Sequence, residues 1–209
     1  DAPTYYNAVV KPSGKDRQSC LFRPMYILFL TVFFKLFGPS VLLAVFLNIF
    51  LFSVSVCALY GIAVILFGSR TGFIAAVIFA FYPSLLSLSL FPFTEPLFLL
   101  LFLSGMFFFF LFLAREKVLD LIFAAAFTAL STLTREITLF FPLVIITLIF
   151  LKYARNLRQV VKITCLFLMV YLVVLSCPLI YNYNIIRRYT PLQTTTAYMN
   201  VIKQHMGPF

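Results

Sequence analysis

The chain has 209 residues, of which 63% are hydrophobic and 11% are charged. Soluble globular domains carry about 25% charged residues, so this composition excludes an ordinary soluble domain and indicates a polytopic integral membrane protein. The formal net charge of +10 comes from basic residues dispersed among short loops. This pattern lacks the continuous basic stripe of a nucleic-acid interface, so no nucleic-acid partner is expected, and contacts with anionic lipid headgroups explain the charge.

The first part of the chain is predicted to lie outside the hydrocarbon core of the membrane. Residues 1–23 are mostly polar, with prolines and a glycine, and indicate an external loop. The apolar run Met25–Phe34 follows within the segment 24–38. This run is much shorter than the roughly 20 residues that a transmembrane helix needs. The pattern therefore favours a helix that lies on the membrane surface.

Six membrane-spanning helices are predicted next, within the transmembrane region 41–181. Their ranges are 41–67, 71–90, 95–114, 118–133, 137–151 and 163–181. Asn48, the amide in the first span, is predicted to make an interhelical hydrogen bond. Residues 182–209 are polar and indicate a second external loop. The sequence thus predicts an all-α membrane protein, a polytopic helical bundle of about six spanning helices plus one interfacial helix.

The charges of the short loops predict the orientation in the membrane. Basic residues gather in three loops on one side: Arg70, Arg115, Lys117, Lys152, Arg155, Arg158 and Lys162. The positive-inside rule assigns this side to the cytoplasm. The other side, with Glu95, Arg135, Glu136 and both polar loops, is then external. We expect a multi-pass protein of a prokaryotic cell membrane with its active face outside.

Glu95 and Arg135 are charged residues flanked by apolar segments long enough to enter a bilayer. A charge at the centre of a membrane helix costs about 2.5–3.5 kcal/mol, so such residues lie at helix ends, face polar cavities or act in chemistry. An arginine guanidinium binds phosphate oxygens in pairs, and a carboxylate can act as a general base. Two structural alternatives are open: Glu95 as the first residue of a helix, and Arg135 with Glu136 as an ion pair or as the cap of a hairpin.

Short motifs occur in a recognisable order along the chain. They are D-A-P-T-Y-Y-N-A from Asp1, R-P-M-Y-I-L-F-L from Arg23, F-T-E-P-L-F around Glu95, L-T-R-E around Arg135 and P-L-I-Y-N-Y-N-I-I-R-R-Y-T-P-L from Pro178. This ordered set resembles the polyprenyl-phosphate-sugar-dependent glycosyltransferases with the GT-C fold. The resemblance is to the branch that contains protein O-mannosyltransferases and aminoarabinose transferases. It implies that the chain is an internal fragment, inactive alone.

The resemblance also implies roles for particular residues and partners. Asp1 is implied to be the catalytic carboxylate that activates the acceptor. The residues implied to bind substrate are Arg23, Tyr26, Glu95, Arg135, Arg187 and Arg188. The donor would be a polyprenyl-phosphate-linked sugar, and the acceptor a glycan, a lipid or a protein. The sequence shows no metal-binding motif and no required cofactor, and it leaves the need for a divalent metal open.

The leading hypothesis is transfer of a sugar from the lipid carrier to an external hydroxyl group, with inversion at the anomeric carbon. The alternative is a transporter or flippase for lipid-linked or amphipathic substrates, because intramembrane Glu and Arg would serve it equally well. Transporters commonly contain internal repeats, and none is evident in this sequence. A membrane scaffold without chemistry is a third possibility.

Overall fold

A computed structural model describes residues 24–186 of the chain, and the predicted loop 1–23 and residues 187–209 lie outside the described residues. Within the described range the chain forms helices and connecting turns without any strand, which confirms the predicted all-α fold. The chain divides into two units after Leu175. The first unit contains every described helix except the end of the last one. The described part of the second unit is that helical end.

The described helices are α1 Pro24–Phe37, α2 Val41–Phe67, α3 Ser69–Ala80, α4 Pro83–Ser89, α5 Glu95–Arg115, α6 Val118–Thr134, α7 Phe141–Tyr153 and α8 Leu157–Ile186, with a 3₁₀ turn Glu136–Thr138 before α7. Gly68 separates α2 from α3 with a φ of 88°, a left-handed backbone conformation that glycine adopts without steric cost. Glu116 ends α5 with a φ of 57°, so the chain reverses sharply into α6.

Among residues 24–186, four segments are long and apolar enough to cross a membrane: α2, α5, the segment Glu136–Tyr153 and Leu157–Ser176 of α8. A fifth crossing results if α3 and α4, which are bent by 58° relative to each other, count as one span. The predicted number of six is therefore not confirmed. Pro83 explains the break in the predicted span 71–90, because proline cannot donate the helical hydrogen bond. The 17 residues of α6 reach only about 25 Å, less than the hydrocarbon thickness of about 30 Å.

The last helix differs from the sequence-based prediction at both ends. It begins at Leu157, within the predicted basic linker 152–162, and continues to Ile186, within the predicted loop 182–209. The Asn156 side chain explains the early start, because its Oδ1 accepts a hydrogen bond of 3.3 Å from the Gln159 amide and caps the first turn. The basic segment after Asn156 is therefore helical.

The helices pack through two clusters of buried apolar side chains. One cluster joins α5, α6, α7 and α8, with Phe109, Leu121, Ile145 and Phe167 at its centre. The other joins α1, α2 and α5. In that cluster α1 contributes residues four apart, which lie on one face of a helix: Tyr26, Leu30 and Phe34. This packing fixes α1 beside the start of α5.

Glycines allow α5 to approach its neighbours closely. A Cβ atom at Gly105 would lie 2.8 Å from Thr128 Oγ1 and 3.2 Å from the Thr128 amide nitrogen of α6. A Cβ atom at Gly61 of α2 would lie 2.6 Å from the Phe107 ring of α5. Small residues at helix contacts are typical of membrane bundles, where close backbone approach is a main source of packing energy. The start of α5 is thereby held beside the end of α6.

Candidate functional site

An ion pair between Glu95 and Arg135 lies where α5 begins and α6 ends. These two ends meet because α5 and α6 are neighbouring helices joined by the sharp turn at Glu116. Arg135 Nη1 lies 3.2 Å from Glu95 Oε1, and the side chains are 35% and 21% exposed, respectively. The pair is thus partly buried and remains accessible to a ligand.

Arg135 also contacts an aromatic ring. Its guanidinium carbon lies 5.9 Å from the centroid of Phe98, which is almost one turn along α5 from Glu95. This distance is within the range of a cation–π interaction. A guanidinium has five N–H donors, and a single ion-pair contact to Glu95 does not use all of them. Arg135 is therefore held in position while it keeps donors for an anionic ligand.

Glu95 is positioned by the first turn of its own helix. Thr94, which precedes α5 and is fully buried, donates a hydrogen bond of 3.4 Å from Oγ1 to Glu95 Oε2. An acidic residue in the first turn also interacts favourably with the helix dipole. The two carboxylate oxygens thus have different partners, Arg135 on one side and Thr94 on the other.

The break between α4 and α5 is held by Asn48 of α2. This side chain is fully buried, and its Nδ2 donates to the carbonyl oxygens of Phe91 at 2.7 Å and Phe93 at 3.1 Å. Its Oδ1 accepts a hydrogen bond of 3.4 Å from the Tyr26 hydroxyl of α1, so the predicted interhelical hydrogen bond is present. Asn48 therefore connects α1 and α2 with the segment that leads directly into Glu95.

A separate network of hydroxyl groups holds the turn that carries Arg135. Thr138 Oγ1 donates to the Arg135 carbonyl oxygen at 3.2 Å and lies 3.2 Å from Thr132 Oγ1. Thr132 Oγ1 lies 3.1 Å from the Tyr171 hydroxyl of α8. The sequence analysis missed this network. Its signal is the series of Ser and Thr residues three and four apart in T-A-L-S-T-L-T, which places hydroxyls on one face of α6.

Comparison with known families gives an identification at this point. A family model described as dolichyl-phosphate-mannose-protein mannosyltransferase matches residues 20–181, which is most of the chain. The chain belongs to this family. The match supports a multi-pass membrane glycosyltransferase of the mannosyltransferase type and confirms the resemblance found in the sequence. No curated protein and no solved structure gives a significant match.

Three of the predicted site residues fall within both the mannosyltransferase match and the described structure: Tyr26, Glu95 and Arg135. The structure joins Glu95 to Arg135 directly, and Tyr26 is connected to them through Asn48 and the α4–α5 break. Asp1, Arg23, Arg187 and Arg188 lie outside the described residues, so their positions relative to the ion pair stay predictions.

The two structural alternatives for the charged residues have different outcomes. Glu95 is the first residue of α5, as one alternative proposed, and it forms the ion pair as well. Arg135 pairs with Glu95 instead of Glu136, which is exposed and begins the 3₁₀ turn. Within residues 24–186, no group of three or more His, Cys, Asp or Glu side chains could hold a metal ion.

The opposite end of the bundle has its own polar contacts. The Tyr153 hydroxyl donates to Glu116 Oε1 at 3.0 Å, and Lys152 Nζ lies 3.5 Å from the same oxygen. Lys152 also donates to the Leu113 carbonyl oxygen. These contacts place the α5–α6 turn beside the end of α7. We call this the basic end, because the α5–α6 turn, which carries Arg115 and Lys117, and the α7–α8 connection, which carries Lys152 and Arg155, meet there.

Proposed function

We propose that the chain forms the part of a membrane glycosyltransferase that binds the phosphate of a polyprenyl-phosphate-linked sugar. The family supports sugar transfer of the mannosyltransferase type. The observation that carries the finer proposal is the accessible Glu95–Arg135 ion pair at one end of an apolar bundle. A lipid-linked substrate suits this position, since its chain can lie among apolar helices while its phosphate reaches a cation at the helix ends.

Arg135 would stabilise the charge of the departing phosphate. Its guanidinium is oriented by Glu95 and Phe98 and keeps free donor capacity, which is the arrangement that stabilises a developing negative charge without reorganisation. Arg187 and Arg188 are proposed to contribute further positive charge to the same phosphate. Glu95 would orient Arg135, and Arg23 and Tyr26 would help to shape the site.

Asp1 would act as the general base for the acceptor. In the proposed reaction, the acceptor hydroxyl oxygen attacks the anomeric carbon while the bond from that carbon to the phosphate oxygen breaks. The hydroxyl proton passes to the Asp1 carboxylate, and the bonding electron pair leaves with the lipid phosphate. A single displacement of this kind inverts the configuration at the anomeric carbon. The acceptor is proposed to be a hydroxyl group of a glycan, a lipid or a protein on the outer side of the membrane.

A turnover assay with the full-length protein tests the proposal. Membranes that contain the wild-type protein, Asp1→Asn or Arg135→Gln are incubated with radiolabelled polyprenyl-phosphate mannose, and transfer of the label to cell-envelope acceptors is measured. We expect Asp1→Asn to lose transfer while it retains donor binding, and Arg135→Gln to weaken both. Near-normal turnover by Asp1→Asn would refute the assignment of the base. Normal donor binding and turnover by Arg135→Gln would refute the phosphate site.

The family match favours this reaction over the transporter and scaffold alternatives. An assay with the same membranes distinguishes sugar transfer from transport. A transporter would move the labelled lipid between leaflets without breaking the bond between sugar and phosphate. Label that stays on the lipid under all acceptor conditions, but changes leaflet, would therefore support transport.

A further inference from the structure

A hollow of about 400 Å³ lies at the basic end, where α7 passes into α8. Its lining includes Leu151 and Lys152 from α7, Arg155 and Asn156 from the turn, and Gln159 from α8. The 21 residues of α5 separate this end from Glu95 by about 30 Å, at 1.5 Å per residue. The hollow is thus remote from the proposed transfer site and takes no part in it.

The charge of the hollow is positive. Lys152 is partly compensated by Glu116 at 3.5 Å. Arg155, in contrast, is exposed and forms no ion pair with any residue between 24 and 186. Arg158 follows in the first turn of α8 and is exposed as well. An anionic partner would therefore meet more positive than negative charge here.

Exposed leucines flank the hollow on the outer surface of the bundle. Leu151, which lines the hollow, is 68% exposed, and Leu157, the neighbour of Asn156 in the chain, is 66% exposed. In a membrane-spanning bundle, exposed leucines at this position contact lipid hydrocarbon. The hollow therefore lies where the headgroup layer meets the acyl chains, and it presents basic and amide groups beside apolar ones.

We propose that this hollow binds the phosphate headgroup of an anionic phospholipid. Arg155 would bind two phosphate oxygens through its planar guanidinium, and Lys152 would add a point charge. Gln159 supplies an amide for the glycerol or ester oxygens, while the acyl chains follow Leu151 and Leu157. Basic hollows between membrane helices are a known type of lipid-headgroup site. The apolar flank selects a lipid over a soluble anion.

The test measures lipid retention by the full-length protein in detergent, by native mass spectrometry. Phosphatidylglycerol and phosphatidylcholine with identical acyl chains are added in turn, to the wild type and to Arg155→Gln. The matched control is Arg70→Gln, which removes an exposed arginine in the first turn of α3, outside the hollow. We expect Arg155→Gln to weaken phosphatidylglycerol binding about fivefold, the effect of one basic residue near an anionic lipid surface. Arg70→Gln should have a smaller effect, and Arg155→Lys, which keeps the charge but loses the planar two-oxygen contact, should give an intermediate loss of affinity.

Three results would overturn the proposal. Equal losses in Arg155→Gln and Arg70→Gln would show a diffuse charge effect without a site. Equal retention of phosphatidylglycerol and phosphatidylcholine would show that the negative charge is not recognised. Complete displacement of the lipid by millimolar inorganic phosphate would identify a soluble-anion site instead. Because the readout is bound lipid, each result is independent of the sugar-transfer assay.

Discussion

Replacing Asn48 with leucine should disturb the ion pair without touching either of its members. Leucine is branched at the same carbon as asparagine but cannot donate to the carbonyl oxygens of Phe91 and Phe93 or accept from the Tyr26 hydroxyl. The segment between α4 and α5 then loses its connection to α2. Since Glu95 follows this segment directly, we expect its carboxylate to adopt the paired position less often.

The magnitude follows from the lost hydrogen bonds. Each typical hydrogen bond contributes about 0.5–1.5 kcal/mol net, and those between membrane helices average about 0.6 kcal/mol. The two bonds to the carbonyl oxygens, at 2.7 and 3.1 Å, dominate over the 3.4 Å contact with Tyr26. The expected loss is about 1–3 kcal/mol, and each 1.4 kcal/mol corresponds to about a tenfold loss in rate. We therefore predict that Asn48→Leu lowers kcat/KM for sugar transfer by between about fivefold and about a hundredfold.

The assay compares kcat/KM at equal protein abundance in the membrane. Ser53→Ala is the matched control, because Ser53 is a polar residue of the same helix whose hydroxyl donates to the Ile49 carbonyl oxygen within that helix. It should retain wild-type activity. The effect of Asn48→Leu should also be much smaller when Glu95 is already replaced by glutamine, since residues that act through one another are not additive. Full activity of Asn48→Leu, or an undiminished effect in the Glu95→Gln background, would refute the connection.

Three further changes test the bundle around the site. Gly105→Val should lower the thermal stability of the purified protein by about 1–3 kcal/mol, because even a Cβ atom would lie 2.8 Å from Thr128 Oγ1; an unchanged melting temperature would contradict the close contact of α5 and α6. Thr138→Val should weaken donor binding several-fold, since it frees the carbonyl oxygen of Arg135; unchanged binding in a donor titration would contradict a positioning role. Tyr153→Phe should cost stability at the low end of about 0.5–1.5 kcal/mol and leave sugar transfer unchanged, because its hydroxyl bond is exposed and lies at the basic end; a loss of transfer would contradict the separation of the two ends.

The helical character of the chain could be predicted from its composition, but the number of crossings could not. The segment predicted as a span over 71–90 has enough apolar residues to cross the membrane. Pro83, however, divides it into α3 and α4, whose axes are bent by 58° relative to each other. The segment 118–133 is predicted as a short span, although Asp120 lies in the first turn of α6 and hydroxyl residues follow in its second half. Its length alone gives about 25 Å, which shows that composition without length overestimates crossings.

The two charged residues of the site could also be found from the sequence, because charge is conspicuous in an apolar chain. Their pairing could not be found, since Glu95 and Arg135 lie on different helices and Arg135 has an acidic neighbour, Glu136, that was an equally reasonable partner. The choice depends on which ends of α5 and α6 meet and on the extended backbone of Arg135, with φ −147° and ψ 128°. Tertiary packing determines both.

The polar groups around the ion pair share one role, which is to position its two members. Asn48 holds the segment before Glu95, and Thr138 holds the turn of Arg135, and the hydrogen bonds named above for these two networks share no residue. Stability alone does not require either network, because an apolar bundle can be packed with leucine and phenylalanine at lower desolvation cost. Each network, however, fixes the backbone beside one member of the pair. Independent restraint of both partners is what a preorganised phosphate site needs, since a cation that must reorganise as charge develops stabilises the transition state less.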